Sequence, residues 1–231
     1  MDRGPPVAGA APGAARAAGG GAVRNGRRGG GVPGGAGGGS GPVSTERLEK
    51  LWSELLAELF DRCPPDPSLD AGELLRRAPR RLAKAWTEDL LAGAGTDPAA
   101  LLRPIEMPAA RGPVLLSGIA FTAVCAHHLL PFRGVAHAGY VPEGRHAGLG
   151  AVARVVDACA RRLTLQEALT ASIADGLERG LSPRSLVVAV EAEHQCLSAR
   201  GPRKAGHRFV TVERRGAPSP ELEALVRDAF R

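Results

Sequence analysis

The sequence predicts an α+β domain: an antiparallel sheet with helices on one face, preceded by a helical extension and a Gly/Ala/Arg-rich tail. Three observations support this class. Apolar residues recur at helical spacing from residue 45, the period changes to two near residue 113, and the later strands come in pairs with two helices between the pairs. Paired strands favour antiparallel pairing, because strict alternation of strands and helices is typical of parallel sheets.

The first 43 residues differ in composition from the rest of the chain. They consist almost entirely of Gly, Ala, Pro and Arg, with no aromatic residue and no periodic apolar pattern. Such a segment cannot bury enough apolar surface to offset its ordering entropy, so residues 1–43 are predicted to be a disordered tail. The tail carries +4 of the net charge of +6, which leaves the remaining domain close to neutral.

No targeting or membrane signal is evident. No continuous apolar segment follows the early arginine, as a signal peptide requires, and no later run is long enough to span a bilayer. We therefore expect a soluble, cytoplasmic protein with no membrane partner. Aromatic residues are scarce, so a nucleic-acid partner is not expected either.

Residues 44–105 are predicted to form the N-terminal helices. An apolar stripe defines the first helix, which "PPDP" at residues 64–67 ends. A second helix is predicted from Ala71 to residue 93, with Pro79 as a break or a new start near its middle.

Residues 106–231 contain the predicted sheet. Four segments show strand patterns, at 113–124, 133–141, 185–194 and 207–213. Three segments show helical patterns, at 149–163, 165–180 and 219–230. The last helix has Ser219 as a plausible N-cap and Pro220 at its first position.

Two strand ends carry soft metal ligands. "CAHHLLPF" follows the first strand at residues 125–132, and "EAEHQC" ends the third at residues 191–196. If the two ends meet, Cys125, His128 and Cys196 come together, and His194 shares a face with Cys196 if that strand continues. Two thiolates and one imidazole suit Zn²⁺ and leave a fourth position for water. Taken alone, a Cys-x-x-His pair is a weak signal, and the same residues are also compatible with ordinary core or surface positions.

Several blocks, in order, resemble GTP cyclohydrolase I, the enzyme family that opens pterin biosynthesis. They are "RAPRRLAKAW", "CAHHLLPFRGVAHAGYVP", "ARVVDACARRLTLQEALT" and "VEAEHQCLSARG". The match covers nearly all of residues 45–231. The resemblance implies the tunnelling fold, a homodecameric ring with sites between subunits, and GTP as substrate. It also implies zinc-dependent hydrolysis at guanine C8, with release of formate and formation of 7,8-dihydroneopterin triphosphate.

The resemblance also assigns roles to single residues. The zinc ligands fall on Cys125, His128 and Cys196, and the proton-carrying histidines on His127 and His194. The resemblance implies that Glu167 binds the edge of the guanine, with Gln166 beside Glu167. It also places Glu167 among the catalytic residues. The remaining substrate-binding positions are Leu149, Arg154 and Arg200, of which the two arginines would hold phosphates.

The departures from the family pattern concentrate at the phosphate-binding positions. Gly150 and Ala151 stand where the family has Ser-Lys on the triphosphate. Loss of a lysine from a phosphate removes a charge-assisted contact worth about 1.5–3 kcal/mol. Further departures lie at Ala126, Ala168, His207 and Phe209.

Three alternatives to GTP hydrolysis therefore stay open at this stage. One is a family enzyme acting on another purine with fewer phosphates. Another is a non-catalytic ring subunit that binds pterin or nucleotide. The third is a zinc-stabilised nucleic-acid-binding protein that uses the arginine-rich tail.

Overall fold

The computed structural model describes residues 44–109 and 111–230, and the predicted disorder of residues 1–43 lies outside them. The chain begins with helices α1 (Thr45–Arg62) and α2 (Ala71–Lys84), a π-helical turn (Ala85–Leu90) and a 3₁₀ turn (Pro98–Leu101). The strands are β1 (Ile105–Glu106), β2 (Val114–Cys125), β3 (Pro131–Val141), β4 (Arg145–His146), β5 (Leu163–Thr164), β6 (Ser185–His194) and β7 (Phe209–Gly216). The later helices are α3 (Leu149–Ala160), α4 (Gln166–Leu181), α5 (Gln195–Ser198) and α6 (Pro220–Asp228).

The two N-terminal helices have side-chain caps. Ser44 accepts a hydrogen bond from the backbone N–H of Arg47, and Asp70 accepts one from Glu73. Helix α2 runs through Pro79, so the predicted break at this residue is wrong. A proline removes only one intrahelical donor, and the burial of Pro79 and Ala83 on one face of α2 holds the helix together across that gap.

The main sheet has five strands in the order β5-β2-β3-β6-β7. All its long neighbours pair antiparallel, which confirms the predicted α+β class with an antiparallel sheet. Only the two-residue strand β5 runs parallel to its neighbour, at the end of β2. Strands β1 and β4 form a separate two-residue pair before α3.

Helices cover both faces of this sheet. Helices α3 and α4 bury Val155, Ile173 and Leu177 in the core cluster that contains Val188. On the opposite face, α6 packs Leu222 and Val226 against Val187 and Ala189. The expectation of helices on one face therefore holds for α3 and α4 but not for α6, because β6 presents apolar side chains on both of its faces.

None of the helices within residues 44–109 and 111–230 is long and apolar enough to cross a bilayer.

Candidate metal and catalytic site

The two predicted ligand segments lie at the same end of the sheet, on either side of β3. Strand β2 ends at Cys125, and β3 begins a short turn later, at Pro131. His194, the last residue of β6, pairs with Phe132 near the start of β3. Strand β6 does not continue to Cys196, as the shared-face argument required; Cys196 lies in the short helix α5 instead.

The turn between β2 and β3 presents two adjacent histidines. The backbone N–H of Cys125 donates to the carbonyl of Leu130 at 2.9 Å, and the N–H of Leu129 donates back to the carbonyl of Cys125 at 2.9 Å. Leu129 adopts a left-handed conformation with φ of 54°. His127 and His128 are exposed on this turn, with ring centroids 6.2 Å apart.

Three ligand atoms converge beside the turn. The sulfurs of Cys125 and Cys196 and one ring nitrogen of His194 all lie within 4.8 Å of one another. Burial, together with the neighbouring Cys125 thiol, raises the pKa of Cys196. Two sulfurs and one imidazole nitrogen suit Zn²⁺, and a bound cation would favour the Cys196 thiolate that burial disfavours. His128, which the resemblance assigns as the third ligand, is exposed and is not a member of this group.

The His194 ring is held on several sides. It stacks on Phe132 with centroids 4.5 Å apart and an angle of 4° between the planes, and Phe209 meets it edge-on at 5.7 Å. Its Nε2 lies 2.9 Å from Oε1 of Gln166. Burial, with a smaller contribution from His207, lowers the pKa of His194. The imidazole is therefore fixed in place and favours its neutral form.

Gln166 is almost completely buried. It is the first residue of α4 and is 1% exposed. Its side-chain nitrogen donates to the carbonyls of Val190 and Phe209 at 3.0 and 2.9 Å. The amide hydrogens are thus engaged within the protein, and the structure places this side chain against His194 where the resemblance implied substrate.

His207 is a site residue with no predicted role; in sequence it stands out only as a departure from the family pattern. Its Nε2 accepts a hydrogen bond from the backbone N–H of His194 at 3.0 Å. Its Nδ1 lies 2.7 Å from the carbonyl of Lys204, to which it donates, since Nε2 is already an acceptor. His207 therefore ties the segment before β7 to the end of β6.

A cavity of about 410 Å³ opens on the three ligand atoms. It brings together six of the predicted site residues: Cys125, His127, Gln166, Glu167, His194 and Cys196. His207, Arg208 and Phe209 line it as well. Of the other predicted residues, Leu149 is 62% exposed at the start of α3, and His128, Arg154 and Arg200 are exposed. These four are not among the residues that line the cavity within the described chain.

The family model and the curated relatives that match this sequence agree on one family. The family model described as GTP cyclohydrolase I matches residues 55–227. A protein named GTP cyclohydrolase 1 from Mycolicibacterium vanbaalenii is 41% identical over 77% of this chain and 87% of its own length. One of the same name from Leifsonia xyli subsp. xyli is 42% identical over 78% of this chain and 94% of its own. Among solved structures, an apo archaeosine synthase QueF-Like aligns with 46% of this chain and 96% of its own, at 18% identity and a TM-score of 0.39.

The matched residues include both strand ends and all of the cavity, from the turn after β2 to β7. The tunnelling fold that the resemblance implied agrees with the observed antiparallel sheet and its helices. The chain belongs to the GTP cyclohydrolase I family.

Proposed function

We propose that this chain is a zinc-dependent GTP cyclohydrolase that hydrolyses GTP at C8, releases formate and forms 7,8-dihydroneopterin triphosphate. One observation carries the proposal. Two thiols and an imidazole converge at the wall of a cavity that His127 and Glu167 also line. Family membership and the relatives named GTP cyclohydrolase 1 supply the reaction and the substrate.

The two thiols of this cluster fit zinc. Cys125 and Cys196 would supply two sulfurs, and His128, three residues after Cys125, would supply the third ligand in keeping with the resemblance. When bound, zinc supplies the Lewis acidity that lets water ionise near neutral pH. His194, beside both thiols, then remains free to carry protons.

His128→Ala is expected to lose zinc, whereas His194→Ala is expected to keep zinc and lose turnover. Metal content per chain, measured for both variants, separates the two roles.

The other cavity residues fit the proposed substrate. The carboxylate of Glu167 lies in the first turn of α4 and would accept hydrogen bonds from N1 and the exocyclic amine of guanine. His127 and His194 line the same cavity and would move protons to and from the opening ring, since an imidazole can exchange protons near neutral pH.

The remaining predicted substrate-binding residues favour an assembly. Leu149 and Arg154 lie on α3, and Arg200 follows α5. All three are exposed and outside the cavity of the single chain. We propose that a neighbouring subunit brings its own Leu149 and Arg154 to complete the site, in a homodecameric ring.

Replacing Glu167 with glutamine is expected to lower kcat/KM for GTP about tenfold to a hundredfold, because a charge-assisted contact of about 1.5–3 kcal/mol is lost. Glu178→Gln is the matched control, since Glu178 is an exposed acid on the same helix, outside the cavity. Steady-state kinetics on both variants test the role. Equal kcat/KM for Glu167→Gln and Glu178→Gln would contradict it.

The number of phosphates on the substrate is a second testable point. Ala151 is 7% exposed and Gly150 has no side chain, so neither offers the cation that the family pattern places there. We expect GTP to remain the preferred substrate over GDP, GMP and guanosine, with a KM raised about tenfold to a hundredfold above that of enzymes with the Ser-Lys pair. Formate release and pterin fluorescence measure all four. A higher kcat/KM for GMP or guanosine than for GTP would favour the alternative, a family enzyme for a less phosphorylated purine.

A further inference from the structure

Gln166 makes a set of contacts that fixes which way its amide points. Its Nε2 lies 3.0 Å from the carbonyl oxygen of Val190, 2.9 Å from that of Phe209 and 3.2 Å from Oγ1 of Thr211. Two of these three partners are backbone carbonyls, which can only accept hydrogen bonds. The nitrogen must therefore lie on this side of the amide, and Oε1 must face the opposite way.

The fixed amide determines the tautomer of His194. Oε1 of Gln166 lies 2.9 Å from Nε2 of His194, and an amide oxygen can only accept. The hydrogen of the neutral imidazole must therefore be on Nε2, which leaves the lone pair on Nδ1. Stacking on Phe132, with only 4° between the ring planes, prevents the imidazole from tilting away from this contact.

We propose that Gln166 is a positioning residue that holds His194 as the Nε2–H tautomer and so leaves the Nδ1 lone pair on the side of the ring away from Gln166. The effect of this tautomer on turnover rests on the proposed function. Gln166 itself does not bind the substrate, since its amide hydrogens are engaged with Val190 and Phe209 and the residue is 1% exposed. Its contact with His194 joins residues 28 positions apart, from α4 and the end of β6.

Substitutions of Gln166 distinguish a positioning role from simple filling of space. Methionine has nearly the same length but cannot donate to two carbonyls or accept from His194, so Gln166→Met should release the tautomer. Gln166→Glu keeps an oxygen that can accept from Nε2, while its second oxygen faces the two carbonyls and must carry a proton to donate to one of them. In that protonated form the variant should retain the Nε2–H tautomer. Thr170→Val serves as the control within the same buried network, because Thr170 bonds the backbone carbonyl of Gln166 and Thr211 but not the Gln166 amide.

The test is ¹⁵N solid-state NMR on zinc-loaded protein with labelled histidine, which reports directly which ring nitrogen is protonated. With only six histidines, His194 can be assigned by substitution. We expect Nε2–H in the wild type, Thr170→Val and Gln166→Glu, and a mixture of tautomers or Nδ1–H in Gln166→Met. Nδ1–H in the wild type, or unchanged Nε2–H in Gln166→Met, would overturn the proposal.

Kinetics give a second readout. Gln166→Met should lower kcat about a hundredfold, the scale of one general acid–base contribution, and should change KM for GTP by less than about twofold. Gln166→Glu should recover part of kcat. A raised KM with unchanged kcat would instead make Gln166 a substrate-binding residue. The NMR result does not depend on turnover, so a wild type with Nε2–H but no activity on GTP would reject the proposed function and leave the tautomer assignment standing.

Discussion

Replacing Cys196 with serine is expected to remove zinc from the protein and to lower kcat/KM for GTP by about a thousandfold or more. Cys196 and Cys125 supply the two sulfurs of the donor cluster, and one sulfur with one imidazole is too small a set for a stable zinc site. Loss of the metal removes several kcal/mol of transition-state stabilisation, and each 1.36 kcal/mol corresponds to about a factor of ten in rate. Metal content per chain and steady-state kinetics measure the two effects.

Cys63→Ser is the matched control for this substitution. Cys63 is an exposed free thiol at the end of α1, outside the cluster of ligand atoms. Its replacement should leave both zinc content and turnover unchanged. A Cys196→Ser protein that keeps one zinc per chain and full activity would show that the metal, if it is used, is bound elsewhere.

Gly134→Ala is expected to destabilise the fold by about 3 kcal/mol or more, the upper end of the cost of overpacking a core. A Cβ at this position would lie 1.9 Å from the carbonyl oxygen of Glu191 and 2.7 Å from the Cα of Ala192. Both atoms belong to the backbone of β6, so they cannot move without separating β3 from β6. The same separation would displace His194 from Phe132, so activity should fall together with stability.

Thermal unfolding with Gly112→Ala as the control measures this effect. A Cβ at Gly112 would meet no atom of residues 44–109 or 111–230 within 4 Å, and this residue does not adopt a left-handed conformation. Its melting temperature should stay close to that of the wild type. If Gly134→Ala melts at the same temperature as Gly112→Ala, the close approach of β3 and β6 at this point is wrong.

The sequence predicted the long strands well because their composition and spacing agree. The run "SLVVAVEAEH" was predicted as a strand over residues 185–194, which are the bounds of β6. Its β-branched residues favour extended backbone, and both of its flanks carry clear boundaries. The same run also indicates why helices lie on both faces of the sheet, where one face was predicted. It is apolar at successive positions, and α6 covers the second face.

Local pattern was less informative where tertiary contacts decide the outcome. Pro79 has the local signature of a helix break, yet burial on the face of α2 keeps that helix continuous. The end of β6 could not be read from spacing either, because His194 and Cys196 fit a continuing strand as well as the observed turn into α5.

The ligand segments were found from residue type and position at strand ends, but their detailed arrangement depends on contacts between distant elements. Nothing in the sequence pairs Gln166 with His194, since that contact requires the register of β6 against β7 and the placement of α4 beneath them. His207 likewise reaches His194 only because β7 pairs alongside β6. Side-chain identities indicated a metal site; the folded sheet determines which imidazole lies beside the thiols.

The most direct test of the proposed function is formate release from GTP by the zinc-loaded protein, followed together with pterin fluorescence. We predict that both products form in equal amounts, that a chelator abolishes their formation, and that added zinc restores it. Protein with one zinc per chain that forms neither product at saturating GTP would contradict the account and would favour a family member that keeps the donor cluster without this reaction.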